Sequence, residues 1–555
     1  MKGKKLLVAV ALLGLVVTVI SCVVPTPEVI EKEVVVEKLV VETVVVEKEV
    51  VVEKEVVETV VVEKEVVVTP TVAPTPAAPA GPADTLRIAL RETLLSLDPQ
   101  KEFQIVSLGF TNKAFADCLV NYDDEYNFVP GLAVSWRTVD DLTWEFKLRE
   151  GVKFHNGEPF NAEAVKHSFE RLVDPDYKAG SAFLLAGVES VEVKDEYTVL
   201  VHTKEPFGAL LPNLTLVSIV PIEASQRDDF ATNPVGTGPF RFVEWRKGER
   251  LVMEANPEYW GGAPKFKRVI YYPIAEDATR MAAVRTGEVD IADGVPPEEI
   301  RSLEAEPHLD VFKTASNDNI CIRTYLGEEA PWTDPRVRKA MMMAIDREAI
   351  VNEILQGVGA VARSVLSSAL PVFNPNLEPY PYDPGRAKAL LAEAGYPDGF
   401  SANLVVPSGF YPKDAEITQA IAAYLQQIGV SLEVRLMEQS SAWPLRRVPY
   451  DFFYSGAAII NMDGDMALYR DYMPETSREK YNNPEVVRLL NAARSSLDQD
   501  ERRELYRQVQ AVIWEDLPNI AIHDVGDVWA VNKRVKNWRP RPDKTVILKD
   551  AFVED

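Results

Sequence analysis

The sequence predicts a mixed α/β protein whose folded body has two or three domains. Strand and helix patterns alternate along the chain: Thr85–Leu90 and Thr198–His202 have the composition of strands, whereas Ala415–Gly429 is an amphipathic helix closed by a glycine. Such alternation is typical of α/β architecture. The body extends from residue 84 to residue 555, which is too long for a single hydrophobic core.

The segment 130–172 carries the most specific pattern of the chain. Within Thr143–Leu148, apolar side chains alternate onto one face, as in a half-buried strand. An Asn-Gly turn follows at Asn156. Asn161 then predicts the cap of a helix, because it is followed by an acidic first turn and by apolar residues at helical spacing.

This block resembles the signature of family 5 of the extracellular solute-binding proteins, the peptide and nickel receptors of ABC importers. The shared pattern is a tryptophan, an acidic turn, an aromatic strand, the run Leu-Arg-x-Gly-Val-x-Phe-His-x-Gly and a helix that ends Ser-Phe-x-Arg. The resemblance covers residues 84–538, since further segments are similar to family landmarks in the same order. They are Asn233–Phe240, Asn256–Gly262, Arg280–Ile291, Asp334–Arg347 and Tyr382–Tyr396.

The resemblance implies a two-lobed, periplasmic-binding-protein-like fold of the class II type, with the ligand enclosed between the lobes. Hinge-crossing strands are expected near Asn317–Leu326 and Asn519–Val531. Lobe I would then be discontinuous, with residues 84–318 and 527–555 and an extra subdomain, while residues 319–526 would form lobe II. Closure of such lobes is a hinge motion around a ligand.

The amino-terminal residues predict delivery across a membrane. Residues 1–21 combine lysines, a short apolar run and a small residue before Cys22, which is the pattern of a lipoprotein signal peptide. The apolar run is shorter than the roughly 20 residues of a spanning helix. Cys22 is the predicted lipidation site, and its two acyl chains would anchor the protein stably in the periplasm or at the cell surface. An uncleaved hydrophobic anchor is the alternative.

Residues 22–83 are predicted to be a tether between the lipid and the body. From Glu31 they form a Val/Glu/Lys repeat with a period of sixteen residues, and a proline-rich stretch follows. Successive valine clusters fall on nearly opposite faces of a helix, so no coiled-coil seam results. Glutamate and lysine between the clusters oppose stacking. The prediction is a monomer, and self-association through the repeat is the alternative.

Composition argues against nucleic-acid binding and against catalysis. The net charge is −25 and no basic stripe occurs, which excludes a nucleic-acid binder. The five histidines are scattered, His155 is expected to be structural, and no HExxH, GxSxG, P-loop or GxGxxG motif is present. We therefore expect no catalytic residue, no cofactor and no metal site. Cys118, in a helix-like segment, and Cys321 are expected to be buried free thiols.

Ligand selectivity is expected in the segment Tyr450–Asp465. In peptide-binding relatives this region resembles Gly-Trp-x-x-Asp-x-x-Asp-Pro, and its first aspartate pairs with the amino terminus of the peptide. The register from Gly456 places Ile460 at that aspartate, so the ammonium anchor is missing. Three explanations compete: Asp463 or Asp465 replaces the anchor, the alignment slips, or the ligand has no amino terminus to hold.

Other candidate ligand-binding residues follow from neutral and anionic chemistry. Relatives that bind oligosaccharides use aromatic stacking, which Trp443, Tyr411 and Phe410 would supply, and Asn461 would hydrogen-bond a neutral solute. Arg363 would receive a carboxylate bidentately, or else form a surface salt bridge.

Glu92, just after the first strand, and Asn319, at the first crossing, are candidates by position. The predicted function is that of an extracytoplasmic receptor of an ABC importer, which captures an oligopeptide-like or other small organic solute and delivers it to the permease. An oligosaccharide receptor of the same fold and a lipid-anchored adhesion or structural protein are the alternatives. Nickel binding is a third, although the histidines do not cluster.

Overall fold

The computed structural model divides the chain into two compact units, Met1–Pro74 and Thr75–Asp555. In the first unit, β1 (Val40–Val44) and β2 (Val52–Val56) pair in antiparallel fashion. The predicted signal peptide, Cys22 and the remainder of the tether lie outside the described residues. The structure describes residues 40–44, 52–56, 84–104, 107–456 and 458–554.

The second unit is mixed α/β, which confirms the predicted fold class. Its strands are β3 (Thr85–Leu90), β4 (Val120–Tyr122), β5 (Phe128–Pro130), β6 (Ala133–Asp140), β7 (Thr143–Leu148), β8 (Val188–Asp195), β9 (Thr198–Thr203), β10 (Phe240–Arg246), β11 (Arg250–Ala255), β12 (Arg268–Pro273), β13 (Ile291–Ala292), β14 (Leu309–Thr324), β15 (Ala360–Val361), β16 (Phe400–Pro407), β17 (Val430–Met437), β18 (Phe452–Gly456), β19 (Asn519–Asn532), β20 (Val535–Lys536) and β21 (Phe552–Val553). Its α-helices are α1 (Asn112–Phe115), α2 (Ala162–Val173), α3 (Leu210–Leu214), α4 (Asp277–Thr286), α5 (Ile300–Glu304), α6 (Pro335–Ala344), α7 (Arg347–Ala349), α8 (Pro384–Glu393), α9 (Asp414–Gln426), α10 (Gln439–Leu445), α11 (Arg470–Tyr472), α12 (Pro484–Ser495) and α13 (Gln499–Asp516).

An 11-stranded sheet connects most of this unit. Its order is β10-β11-β12-β3-β13-β19-β14-β18-β16-β17, and β15 also pairs with β19. On one side β3 is parallel to β12 and β13, and on the other side β16 is parallel to β17 and β18. The long strands β14 and β19 are antiparallel to each other and to their outer neighbours, so they stand between the two halves of the sheet.

β14 and β19 occupy the places where hinge-crossing strands are expected. They pair from Leu309 opposite Asn532 to Arg323 opposite Asn519. The register shifts within β14 after Ala315, and from there to its end every residue of β14 is buried. The strands therefore run from a half-exposed segment into the interior of the molecule. The exact boundaries of the two lobes stay a prediction.

A second sheet, with the order β6-β7-β9-β8, is built from the signature block and the segment after it. β7 has the bounds that the alternation predicts, and the helix α2 begins after Asn161, whose side chain accepts a hydrogen bond from the N–H of Ala164 at 3.1 Å. Trp144, Phe146 and Phe169 are buried together between this sheet and its helices. This sheet lies in the part of the chain where the extra subdomain of the first lobe is expected.

Both cysteines of the body are buried and free, as the sequence predicts. Cys118 lies on a short bridge to Ser218 and not in a helix, so the helix-like assignment of that segment is wrong. Cys321 lies in β14, and burial raises the pKa of its thiol to about 11. Neither thiol is positioned for redox chemistry.

Burial lowers the imidazole pKa of two histidines in the body, His155 and His523. The Nε2 atom of His155 lies 2.9 Å from the carbonyl oxygen of Gly238, and burial lowers the pKa of its imidazole to about 4. His523 is 2% exposed in β19, and burial lowers its pKa to about 4 as well. Both side chains are therefore neutral at physiological pH.

The substitution His523→Gln should flatten the pH dependence of stability below neutral pH. The pKa of His523 is about 4 in the folded protein, against about 6.5 in an unfolded chain. The unfolded state therefore binds more protons between these values, and stability falls as the pH drops from about 6.5 to about 4. The expected loss from this histidine at pH 4.5 is about 2.5 kcal/mol.

Urea unfolding gives the free energy of unfolding of wild type and variant at pH 7 and pH 4.5. The contribution of His523 is the difference between the two proteins in the change between these pH values. An unchanged pH dependence in His523→Gln would contradict the prediction.

Candidate functional site

Asn319 is buried at the crossing of the two long strands and is held by the protein itself. Its side-chain N–H donates to Oδ1 of Asp524 at 2.8 Å. The other carboxylate oxygen of Asp524 accepts from the backbone N–H and the hydroxyl of Ser368, at 2.9 and 2.7 Å. Burial raises the pKa of Asp524, and these hydrogen bonds and the charge of Arg363 oppose that rise. The cluster fixes the crossing and places Arg363 beside it.

Arg363 follows β15, which pairs with β19 at Asp524. Its side chain is exposed, and its guanidinium lies 5.5 Å from the ring centroid of Phe373. Within the described part of the chain, no carboxylate lies within 4.0 Å of this guanidinium and no acceptor binds it. The surface salt bridge considered for Arg363 is therefore absent from these residues, and its N–H donors are available.

The aromatic residues predicted for stacking lie together. The ring of Phe410 packs edge-on against Tyr411 and Trp443, with centroids 4.8 and 5.4 Å apart. Phe410 is 45% exposed, whereas the hydroxyl of Tyr411 accepts a hydrogen bond from the N–H of Gly456 at 2.7 Å. Trp443 also contacts Phe453 at 5.5 Å. The cluster thus contacts the selectivity segment at Phe453 and Gly456, and it exposes the ring of Phe410.

The three residues of the selectivity segment that are predicted to bind ligand, Asn461, Asp463 and Asp465, are occupied by protein partners. The side-chain amide of Asn461 donates to Oδ1 of Asn213 at 2.8 Å. Asp463 accepts from Nη2 of Arg502 at 2.7 Å, and Asp465 binds Arg494 through both carboxylate oxygens, at 3.1 and 3.0 Å. Both aspartates are therefore ion-paired with arginines. Neither can replace the missing ammonium anchor without breaking its ion pair.

Glu92 lies near Lys544, a partly buried lysine that no sequence pattern singles out. The ammonium of Lys544 lies 3.9 Å from Asp527, and its side chain is 19% exposed. Burial lowers the pKa of Lys544, but the charges of Asp527, Asp318 and Glu92 outweigh it, so the net shift is upward. Lys544 is close to the carboxyl end of the chain, and only the fold brings it to the first strand.

Two further observations limit the chemistry of the described residues. They contain no group of three or more His, Cys, Asp or Glu side chains that could hold a metal ion. A search of the same residues for a helix long and apolar enough to span a membrane finds none.

Comparison with known proteins identifies the family. The family model for bacterial extracellular solute-binding proteins, family 5 Middle, matches residues 127–478. The chain belongs to this family. It is 30% identical over 496 residues to the glutathione-binding protein GsiB of Pectobacterium atrosepticum, covering 86% of this chain and 95% of that protein.

Solved structures agree with this membership. HbpA2 from Haemophilus parasuis superposes with a TM-score of 0.76 at 25% identity, over 85% of this chain and 100% of its own. The periplasmic binding protein DppA from Helicobacter pylori, in complex with the peptide STSA, has a TM-score of 0.74 at 27% identity, over 85% and 98%. The two-lobed fold and the function of a solute-binding receptor follow for this family 5 protein.

In this solute-binding protein, the residues that sequence reasoning missed are the partners of the selectivity segment. Arg494 and Arg502 lie on α12 and α13, whose charged faces gave no sign of a buried partner. The side chain of Arg502 is 1% exposed and lies against Asp463. Burial lowers the pKa of Arg502, but the charge of Asp463 opposes this and the net shift is upward.

The substitution Asp463→Asn should destabilise the fold strongly, because it leaves the buried charge of Arg502 without its counterion. Loss of one partner of a buried pair lowers the free energy of unfolding by about 3–5 kcal/mol. The double variant Asp463→Leu/Arg502→Met removes both charges and should lose much less. Guanidinium unfolding of the three proteins measures this, and a stable Asp463→Asn that loses only ligand binding would assign the carboxylate to the ligand instead.

Proposed function

We propose that this protein is the extracytoplasmic receptor of an ABC importer, and that it captures an oligopeptide-like or other small organic solute that carries a carboxylate. The observation that supports this ligand chemistry is the available guanidinium of Arg363 beside the crossing strands. A guanidinium can bind a carboxylate through two parallel hydrogen bonds. The receptor then delivers the solute to the membrane permease.

The named ligands of the relatives support a peptide-like solute. GsiB is named for glutathione, and DppA was solved with the peptide STSA. The amino terminus of such a solute must be held differently here, because Ile460 is apolar and Asp463 and Asp465 bind arginines. The proposal therefore assigns the main polar contact to the carboxylate end of the solute.

An oligosaccharide is the second candidate ligand, and the aromatic cluster of Phe410, Tyr411 and Trp443 favours it. The exposed ring of Phe410 offers an apolar surface on which a sugar ring would stack. Isothermal titration with tri- and tetrapeptides, glutathione and maltotriose separates the two candidates. Binding heat from maltotriose and none from the peptides or glutathione would favour an oligosaccharide ligand.

The substitution Arg363→Ala should weaken peptide binding by about 10- to 100-fold, which corresponds to the loss of a hydrogen bond to a charged group. Peptides with an amidated carboxyl terminus should bind the wild type and the variant equally, since they present no carboxylate. Arg363→Lys keeps the positive charge but cannot form the bidentate contact. Its affinity for peptides should therefore lie between those of the wild type and Arg363→Ala.

Arg268→Ala is the matched control for this series. Arg268 is exposed in β12, and within the described residues its side chain has no carboxylate partner either. Its replacement should leave the affinity unchanged. An equal loss of affinity for free and amidated peptides in Arg363→Ala would exclude a contact with the carboxylate.

The proposal also includes a lipid anchor at Cys22, supported by the signal-peptide pattern that precedes it. The substitution Cys22→Ala should move the protein from the membrane fraction to the soluble or secreted fraction of the producing cell. Metabolic labelling with a fatty acid should mark the wild type and not the variant. Membrane association of Cys22→Ala without label would indicate an uncleaved hydrophobic anchor.

A further inference from the structure

The predicted lobe II contains a buried network of arginines and carboxylates. Nη1 of Arg323, on β14, donates to Oδ2 of Asp471 at 2.8 Å. Asp471 also accepts from Nε and Nη2 of Arg470, at 2.7 and 3.0 Å. Nη2 of Arg446 donates to Oε1 of Glu479 at 2.9 Å. In both the Arg323–Asp471 pair and the Arg446–Glu479 pair, each side chain is at most 8% exposed, so the protein encloses these charges.

The two ion pairs belong to one electrostatic network. Burial raises the pKa of Asp471, but the charges of Arg323, Arg470 and Arg446 outweigh it, so the net shift is downward. Desolvation and the charges of Arg446 and Arg470 lower the pKa of Arg478. Arg478, an exposed residue directly before Glu479, therefore adds its own positive charge to the network.

Positive charge exceeds negative charge in this network. Four guanidinium groups face two carboxylates, which leaves an excess of two positive charges, although the whole chain has a net charge of −25. Water screens Arg470, whose side chain is 46% exposed, but it does not screen the enclosed Arg323 and Arg446. Because uncompensated charge in the interior is strongly unfavourable, the network favours a further negative group beside the enclosed arginines.

Buried hydrogen-bond donors of the network point to the same need. Within the described residues, no acceptor binds Nε of Arg323 or Nε of Arg446, and both atoms are buried. The buried hydroxyl of Ser455 has no hydrogen-bond partner among these residues either. A buried donor without an acceptor is unfavourable, and folded proteins satisfy nearly all of them. These donors therefore call for an acceptor that is not part of the polypeptide.

Ser455 lies beside Arg323 on one face of the large sheet. In the ladder between β14 and β18, Cys321 is opposite Ser455, and Arg323 is opposite Phe453. Side chains two residues apart on a strand point to the same face, so Arg323 and Ser455 are diagonal neighbours. A long side chain spans such a diagonal. The donors thus lie next to the end of β18, directly before Gly456 of the selectivity segment.

Charge and burial together favour a small monovalent anion. A water molecule would accept these hydrogen bonds but would leave the positive charge uncompensated. An oxyanion as large as phosphate would reach only the exposed guanidinium groups of Arg470 and Arg478, whereas a halide is small enough to be enclosed. Oε2 of Glu479 is also buried and binds no donor in the part of the chain that the structure describes, so a water molecule beside the anion would donate to it.

We propose that lobe II binds a chloride ion between Arg323 and Arg446, with the hydroxyl of Ser455 as a further donor. The exposed guanidinium groups of Arg470 and Arg478 lead from solvent to this site. The ion would hold β14 and β18 to the segment 470–479, which follows the selectivity segment. On β14, Arg323 lies four residues beyond Asn319, about 13 Å along the strand, so the site is separate from the proposed solute contact at the crossing.

Crystals of the full-length protein in sodium bromide test the site directly, because bromide replaces chloride and scatters X-rays anomalously. The expected result is an anomalous peak within hydrogen-bond distance of Nε of Arg323 and Nε of Arg446. Density at this place without an anomalous signal would identify water and overturn the inference. An anomalous peak only at the exposed groups of Arg470 and Arg478 would overturn it as well.

Thermal unfolding tests the same site in solution. At constant ionic strength, replacing gluconate by chloride up to about 150 mM should raise the Tm by about 2 °C, since an ion that binds only the folded state stabilises it. In Ser455→Ala, the chloride concentration that gives half of this rise should increase about 10-fold, because a hydrogen bond to the charged ion is lost.

Ser107→Ala is the matched control. Ser107 is also buried, and its hydroxyl has no hydrogen-bond partner in the described ranges, but it lies outside the network. This variant should keep the wild-type dependence on chloride. A wild-type Tm that does not depend on chloride, or an unchanged dependence in Ser455→Ala, would overturn the inference. These measurements use no solute, so their failure would leave the proposed function unaffected.

Discussion

The antiparallel pairing of β14 with β19 is the constraint on which the rest of the structure depends. These strands connect β13 of one half of the large sheet to β18 of the other half, so both lobes take their position from one ladder of hydrogen bonds. The register shift after Ala315 lies at the point where β14 becomes fully buried. Between the pairs Ala315–Gly526 and Asn319–Asp524, β14 has two more residues than β19, and this bulge brings Asn319 opposite Asp524 at the crossing.

The charges near the crossing follow from this geometry. Asp524 is satisfied by Asn319 and Ser368, and the ammonium of Lys544, which is partly buried, lies 3.9 Å from Asp527. Buried charges need such partners, because an unpaired ion in the interior is strongly unfavourable. Arg363 differs because it is exposed, and it makes only a loose contact with an aromatic ring. At the crossing, Asp524 therefore has protein partners, whereas Arg363 is the exposed cation that the proposed function assigns to a charged solute.

Local patterns were sufficient for much of the fold. The bounds of β7 follow from alternation within six residues, and the cap at Asn161 follows from four consecutive residues. The site depends on contacts that are remote in sequence, such as Asn213 with Asn461, and no local pattern contains them. Cys118 illustrates the same limit, because its apolar neighbours are compatible with a helix, whereas its bridge to Ser218 is a tertiary contact.

Ile460 connects the scaffold to the selectivity segment. In the sequence, Ile460 stands where peptide-binding relatives have an aspartate that binds an ammonium group. In the structure the same position is occupied by apolar packing against the first lobe. An aspartate there would remain desolvated unless a cation from the solute accompanied it, whereas isoleucine is stable in that place without any solute. A carboxylate that selects amines would therefore have to be buried at this position, whereas isoleucine joins the selectivity segment to the apolar core of the four-stranded subdomain.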